Sequence, residues 1–428
     1  MKKKHKSPWG VFAAIVLAIA FGSIVGESGK IWNIPFYSLL DTAGTLFLNA
    51  LTLVVVPLVS SSIIAGIARI GNDGGFGRIG GKTFFFYLST SLLAILIGLF
   101  FVDLIGPGTG HIIGHNLESG DYVANLKQSM ANREGKGLSN VLLSIVPSNV
   151  LLAFSQGNML GLIFFSILFG YSISKIQSSH ANVLQSFFQG VFETMIQLTH
   201  LIMKLLPYGV FCLVAKVFMT TGVHSLAPVA LFTLTVILGL STFMFIGLPL
   251  MLQLIGQIKP AWLFKAMGPA LITAFSTSSS SATLPITIDC VEKRAGVSNR
   301  ICSLVIPLGT SINMSGSALY ECVAAMFIAQ AYGLELSFTN QFLIVFLSLI
   351  TSIGVAGIPS ASLVAILIIL RFMGLPAEGV GLFVAVDRLL DMCRTTVNVF
   401  SDSCCAVLVA KAEGEKNVLV KDPVEMVE

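Results

Sequence analysis

Six polar residues fall on one line near the end of the chain: Asp387, Asp391, Arg394, Thr395, Asn398 and Asp402. In a helix advancing about 100° per residue they share a stripe about 100° wide, with Arg388 at its margin. The surrounding sequence, from Gly379 to near Ala410, is otherwise apolar. A guanidinium on such a face makes a two-point clamp for a carboxylate, and a carboxylate one turn away suits an ammonium group. Asp and Arg could equally neutralise one another and lock helices together. That pairing leaves the added Asn, Thr and third Asp unexplained. Ionisable groups at membrane depth mark a substrate or ion pathway by default. Asp387 and Arg388 are read as supporting charges, paired across one turn.

Three further stretches carry oxygen donors inside apolar sequence. Ser278 to Ser281, followed by Ala282-Thr283-Leu284-Pro285, has no Gly-x-Ser-x-Gly frame and is no nucleophile elbow. Its hydroxyls and amides either bind a carboxylate or form a small-residue packing patch. Gly309-Thr310-Ser311-Ile312-Asn313-Met314-Ser315-Gly316-Ser317 reads as an unwound helix whose freed carbonyls coordinate a hard cation such as Na⁺. A plain glycine kink would not need so many oxygens. Glu321 follows one or two turns later, as a proton-carrying carboxyl or a neutral structural acid. The third stretch is Ser352-Ile353-Gly354-Val355-Ala356-Gly357-Ile358-Pro359-Ser360-Ala361-Ser362.

These groups need a scaffold, and composition says which kind. The 428 residues are 55% hydrophobic and 11% charged, with mean hydropathy +0.88. Such a chain is a polytopic membrane protein and not two or three soluble domains. A net charge of +4 with basic residues at segment ends is no nucleic-acid footprint. Seven cysteines, without a CxxC, read as small buried side chains. Met1-Lys2-Lys3-Lys4-His5-Lys6 resembles the start of a signal peptide, yet no cleavage site follows Trp9 to Val25. A retained first span is predicted.

Apolar runs place spans at about 8–28, 36–70 and 83–106, then 140–176, 184–221 and 225–256. The run 140–176 is broken near Pro147 and Gly157. The stretch 107–138 is the long polar loop. From 260 onward the pattern changes. The segments 260–292 and 336–373 each have two arms too short to cross a bilayer, joined at a small polar tip. Both are predicted to be re-entrant hairpins, each followed by a span, 299–330 and 378–412, with a tail at 413–428. Paired interrupted segments indicate inverted repeats around a binding site. Lys and Arg cluster at the N-terminus, at Arg69/Arg78/Lys82, at Lys259/Lys265, at Lys293/Arg294/Arg300 and at Lys411/Lys416/Lys421. All would be cytoplasmic with eight spans and two hairpins, and the loop 332–338, without Lys or Arg, would face outside. The fold class is therefore an all-α polytopic membrane protein of eight transmembrane helices plus two re-entrant helical hairpins.

Ser278-Ser279-Ser280-Ser281-Ala282-Thr283-Leu284-Pro285, Asn313-Met314-Ser315-Gly316-Ser317, Ala356-Gly357-Ile358-Pro359 and Asp391…Arg394-Thr395…Asn398…Asp402 resemble, in that order, the motifs of the glutamate transporter family, the dicarboxylate/amino acid:cation symporters. The resemblance runs from the first span to about Glu413. It implies a homotrimer whose mobile transport domain moves like an elevator against a fixed scaffold. Scaffold helices would lie in 1–82 and 139–221. The transport domain would comprise 83–106, 225–256, both hairpins, the broken helix 299–330 and helix 378–412.

The resemblance also implies roles. Arg394 would pair with the side-chain carboxylate of an acidic amino acid, L-glutamate or L-aspartate, and Asp391 with its α-amino group. Asn398, Ser317 and Ser278, Ser279 and Ser280 would bind the α-carboxylate, with Thr395 on the same face and Gly357 in a lid. One Na⁺ would use Asp402 and carbonyls of Gly309, Asn313 and Asn398. Another would use carbonyls of Ser311, Ser352, Ile353 and Val355. A third would use Tyr87, Thr90, Ser91 and Asn313. Glu321 is the proton-coupling candidate.

Two departures stand out. The family motif reads Asn-Met-Asp-Gly-Thr, whereas this chain has Ser315 and Ser317. A buried cation without a carboxylate lacks its charge partner. The third Na⁺ site is therefore predicted to be weak or absent, with coupling through fewer Na⁺ or through protons. The family also places a second arginine at the position of Ser278 or of Met392, and this chain has neither. The runner-up is a proton-coupled carrier of a related dicarboxylate or neutral amino acid. A channel would need a continuous polar pore, and an intramembrane protease a catalytic Asp pair or Ser/His pair. No ATP-binding P-loop occurs, so ion gradients supply the energy. Asn313-Met314-Ser315 is the one glycosylation sequon, and it lies in a span. Together with the absence of any polar loop larger than 107–138, this points to the plasma membrane of a bacterium, its inner membrane.

Overall fold

The computed structural model describes residues 9–26, 29–31, 34–70, 76–109, 146–156, 159–221, 226–334, 336–354 and 361–419. Among these the architecture is helical, apart from one antiparallel pair of two-residue strands, β1 (Lys30–Ile31) and β2 (Ile34–Pro35). That pair turns the chain between α1 (Trp9–Val25) and α2 (Phe36–Leu53). The predicted span 36–70 is two helices, because α3 (Val55–Ile70) starts afresh. Pro57 lacks the N–H that would bond Leu53 and its ring crowds that carbonyl, so the ladder breaks there.

Helix α4 (Phe76–Ile105) begins seven residues before the predicted start at 83, because its first two turns, polar with Arg78 and Lys82, continue the helix past its apolar part. Gly106, at φ +56°, ends it. Of the polar loop only 107–109 lies in the described residues. Next come α5 (Val150–Gln156), α6 (Met159–Ile173), α7 (Ser178–Ile202) and α8 (Leu206–Thr221). Asn149 caps α5, its Oδ1 accepting from the Leu151 and Leu152 N–H groups at 2.9 and 3.2 Å. Pro207 sits in the first turn of α8, where its missing N–H costs nothing.

Helices α9 (Leu226–Thr242) and α10 (Leu248–Leu254) are joined by a π turn, Phe243–Gly247, in which the Leu248 N–H reaches back to Phe243 O. Pro249, without a donor for the carbonyl four residues back, accounts for the wider turn. The hairpin near 260–292 has arms α11 (Pro260–Thr277) and α12 (Ser280–Asp289), the latter running into a second π turn, Cys290–Arg294. The broken helix consists of α13 (Asn299–Ile312) and α14 (Ser315–Ala331). The other hairpin has arms α15 (Phe338–Gly354) and α16 (Ala361–Met373), with its tip, 355–360, outside the described residues. Last is α17 (Val380–Ala412), 33 residues long.

Three stretches among the described residues are long and apolar enough to cross a membrane: 78–105, 226–254 and 299–331. The first two have 33% and 39% of their apolar window buried, whereas the third has 100%, so its apolar surface is covered by protein. Helix α14 is thus the axis of the molecule. It packs on α4, α9, α15, α16 and α17. Its approach to α4 is close enough that a Cβ on Gly98 would stand 2.9 Å from Leu319. Helix α1 lies along α8, and α3 along α6 and α7. Large apolar side chains remain exposed on α5–α8, among them Leu151, Phe187 and Tyr208.

Candidate functional site

The polar stripe of α17 faces inward, with Asp387, Asp391, Arg394, Thr395, Asn398 and Asp402 all buried. Arg394 is fully enclosed. Its Nη1 and Nη2 each donate to Asp387 Oδ1 at 3.0 Å, and Nη2 also donates to Asp391 Oδ1 at 2.9 Å. Beneath it lies Tyr320 of α14, with the guanidinium carbon 3.8 Å from the ring centroid. The Tyr320 hydroxyl donates to Asp387 Oδ1 at 3.0 Å. Phe232 and Phe383 pack beside that ring, at centroid distances of 5.9 and 6.0 Å. Asp387 therefore belongs with Arg394, correcting the expected Asp387–Arg388 pair. Arg388 instead has Nη1 3.7 Å from Asp391 Oδ2. The expectation failed because residues seven apart also lie two turns up the same helix face, and burial favours the longer reach. Arg394 Nε has no hydrogen-bond partner among the described residues.

One turn on, Asn398 bridges α17 to the start of α14. Its Oδ1 accepts the Gly316 N–H at 2.8 Å and its Nδ2 donates to Ser317 Oγ at 3.2 Å. Another turn on, Asp402 Oδ1 accepts from Asn313 Nδ2 at 2.9 Å. Its carboxylate lies directly over Gly309, where an added Cβ would fall 2.5 Å from Asp402 Cγ. Only glycine lets the carboxylate approach that backbone. A carboxylate beside helix backbone at an interruption (Asn313 at φ −97°, ψ 75°) is a donor set that fits a hard monovalent cation.

The set Tyr87, Thr90, Ser91 and Asn313 does not fit one. Tyr87 donates its hydroxyl to Val305 O at 2.5 Å. Thr90 Oγ1 lies 3.0 Å from Phe86 O, 3.1 Å from Tyr87 O and 3.1 Å from Asn313 Oδ1. Asn313, Ser401 and Ser315 close a ring: Asn313 Nδ2 donates to Ser401 Oγ at 3.1 Å, Ser401 and Ser315 are 3.1 Å apart, and Ser315 Oγ donates to Asn313 Oδ1 at 2.9 Å. Ser91 stands 3.4 Å from Ser315. These oxygens satisfy one another, and the ring itself contains no carboxylate. A cation there would break the ring, and the one carboxylate beside it, Asp402, is already bonded to Asn313 Nδ2 at 2.9 Å and lies over Gly309 in the other cation set.

In the hairpin α11–α12, Ser278 adopts the left-handed conformation, φ 51°, ψ 36°, and ends α11. Its Oγ is buried and has no hydrogen-bond partner among the described residues. Ser279 caps α12, accepting the Ala282 N–H at 3.2 Å, and Ser280 is buried in its first turn. In the other hairpin Ser352 is buried with Oγ donating to Leu349 O at 2.9 Å, Ile353 is half-buried, and Val355 and Gly357 lie outside the described residues. Ser311 is half-buried in the last turn of α13. Glu321, fully buried on α14, accepts from Thr351 Oγ1 on Oε2 at 2.8 Å, while Oε1 has no partner among the described residues.

Tyr320, Ser401 and Thr351 were not singled out from sequence. Ser401 adjoins Asp402 and Tyr320 adjoins Glu321, so adjacency was the available signal. What the assembled groups can do is bind an organic zwitterion, with a guanidinium and a carboxylate for opposite charges and an amide and hydroxyls for a carboxylate.

Comparison with known proteins agrees with this chemistry. The family model described as the sodium:dicarboxylate symporter family matches residues 9–412. A proton/sodium-glutamate symport protein of Bacillus caldotenax is 36% identical, covering 96% of this chain and 95% of its own length. A proton/glutamate-aspartate symporter of Escherichia coli strain K12 is 34% identical over 96% of this chain and 93% of its own length. Excitatory amino acid transporter 3 of Mus musculus is 33% identical over 93% and 84%.

Proposed function

The chain belongs to the sodium:dicarboxylate symporter family, a transporter and not an enzyme, and from that premise we propose that it imports acidic amino acids, L-glutamate and L-aspartate, coupled to Na⁺, H⁺ or both. The observation that carries this is Arg394 beside Asp391 on the buried stripe, one turn from Asn398. The guanidinium takes the side-chain carboxylate. Asp391, drawn off Arg394, takes the ammonium group. Asn398, Ser317 and the hairpin residues Ser278, Ser279 and Ser280 take the α-carboxylate, with Thr395 alongside and Gly357 in the lid. The substrate's side-chain carboxylate and ammonium thus replace the contacts that the two side chains make with each other, and its remaining α-carboxylate charge is what the coupled cations balance.

Asp402 with the carbonyls of Gly309, Asn313 and Asn398 is the first cation set, and the carbonyls of Ser311, Ser352, Ile353 and Val355 are the second. Glu321 supports a proton-coupled reading, because an ionisable group enclosed among the apolar helices marks an ion pathway by default and its Oε1 has no partner among the described residues that would tie it into a structural pair. Eight spans with two re-entrant hairpins, a homotrimer, a transport domain sliding against a scaffold, and residence in a bacterial inner membrane complete the proposal. It is tested by uptake of labelled L-aspartate and L-glutamate into proteoliposomes, with Na⁺ and pH gradients imposed separately. Saturable, concentrative uptake is expected. If no gradient concentrates either amino acid, the assignment is wrong.

A further inference from the structure

Beyond α17 the chain doubles back. Gly414 turns it at φ +88°, and the Glu415 N–H donates to Ala410 O at 3.0 Å. The next residues cross the base of the hairpin α11–α12. Glu415 accepts the Ser298 N–H on Oε2 at 3.0 Å and the Ser298 hydroxyl on Oε1. Because Ser298 is the N-cap residue of α13, this carboxylate sits at the donor end of that helix. Leu419 donates its N–H to Ala295 O at 3.0 Å, and Val418 and Leu419 are buried. Gly296, at φ +73°, lets the segment pass, for a Cβ there would stand 2.7 Å from Asn417 O. On the other flank Glu413 is gripped by α4. Arg78 Nε and Nη2 donate to Oε1 and Oε2 at 3.2 and 3.1 Å, and Lys82 Nζ reaches Oε1 at 2.6 Å and Ala412 O at 2.7 Å.

The arm so anchored is not a stiff rod. Helix α12 has Pro285 in its interior and runs into the π turn Cys290–Arg294, two interruptions of the regular ladder. From Ala295 to the serine tip is about 22 Å at 1.5 Å per residue, so a tilt of about 10° at the base carries the tip about 4 Å. That exceeds the tolerance of any hydrogen bond the tip could make. An arm with soft points holds its tip only if its base is fixed.

We propose that residues Glu413–Leu419 form a strap that positions the serine tip of the hairpin α11–α12 from its base, with Glu415 as the positioning residue. The tip's role in binding rests on the symporter reading, while the strap itself does not. The test is a mutant cycle on the full chain, reading L-aspartate and L-glutamate affinity. Glu415→Ala and Ser278→Ala are each expected to weaken binding about three- to tenfold, and together no more than the stronger single change. Glu415→Asp restores most of the affinity, and Glu415→Ala adds independently to Asn398→Ala. Additive effects of Glu415→Ala and Ser278→Ala, or unchanged affinity in Glu415→Ala, overturn the proposal. Hydrogen exchange supplies a measurement free of substrate. Amides of α12 exchange faster in Glu415→Ala and in a chain ending after Glu413, and as in the full chain in one ending after Leu419. Unchanged protection in the first two also overturns it. Should the unaltered chain bind neither amino acid, the symporter reading fails and the exchange result alone decides the strap.

Discussion

Arg394 rests face-down on Tyr320, 3.8 Å from the ring centroid, while the Tyr320 hydroxyl and two guanidinium nitrogens converge on one oxygen, Oδ1 of Asp387. Tyr320 therefore holds the guanidinium twice, by its π face and through Asp387. Tyr320→Phe keeps the face and loses the hydroxyl bond to a charged acceptor, about 1.5 kcal/mol or roughly tenfold in affinity. Asp387→Asn is expected to act in the same direction. Titration of L-aspartate binding checks both, and unchanged affinity in Tyr320→Phe would remove Tyr320 from the site.

Removing the guanidinium itself separates substrate classes. Arg394→Ala deletes a fully buried charge and leaves Asp387 without its cation and Asp391 with the more distant Arg388, a loss of about 3–5 kcal/mol for a ligand that needs the guanidinium. Uptake of acidic amino acids is expected to fall at least 100-fold. Competition by neutral amino acids, whose ammonium still meets Asp391, is expected to appear. If acidic uptake survives, Arg394 does not take the side-chain carboxylate.

The ring Asn313–Ser401–Ser315 makes a prediction about the driving ion. Ser315→Asp puts a carboxylate among Thr90, Ser91 and Asn313, supplying the countercharge that a cation needs there. The sodium dependence of uptake is expected to steepen by about one ion per cycle, read from reversal potentials. Ser315→Ala, which opens the ring without adding charge, leaves the stoichiometry as it was. Identical stoichiometry in the unaltered chain and Ser315→Asp contradicts this account.

The stripe, the two small-residue tips and the interruption at Asn313 were legible because each is a local contradiction, polar or helix-breaking residues inside an apolar run. The family resemblance then supplied roles that no spacing could. Tyr320, Ser401 and Thr351 were illegible for a physical reason. Their partners Asp387, Ser315 and Glu321 lie 67, 86 and 30 residues away, so tertiary packing alone creates the contact. The break ahead of Pro57 was readable in principle, since a proline forbids the ladder four residues back, but hydropathy runs straight through it. The fold of the tail over Ser298 had no sequence signal beyond Gly414.

Glu321 gives a prediction about protons. With Thr351 donating to Oε2 and no partner on Oε1, Glu321→Gln preserves the shape and the acceptor while removing the titrating group. If Glu321 carries the coupled proton, uptake driven by a pH gradient alone is abolished, while exchange of internal for external substrate continues. Uptake that still follows the pH gradient assigns the proton elsewhere.

At the start of α4, hydrogen bonds from Lys82 and then Arg78 hold the Glu413 carboxyl below the usual glutamate range. The sign follows from linkage: a carboxyl depressed in the folded protein stabilises it above its unfolded-state value, and loses that contribution as pH falls through the folded one. Glu413→Gln is therefore expected to lower the melting temperature slightly at neutral pH and not at all once acid has protonated Glu413. The effect stays within about 1 kcal/mol, since Arg78 is 69% exposed and its pair is screened by salt. Melting of the two proteins in detergent, followed from neutral to acid pH at low and high salt, checks it. A difference that persists in strong acid, or that grows with salt, is incompatible with an ion-pair clamp at this site.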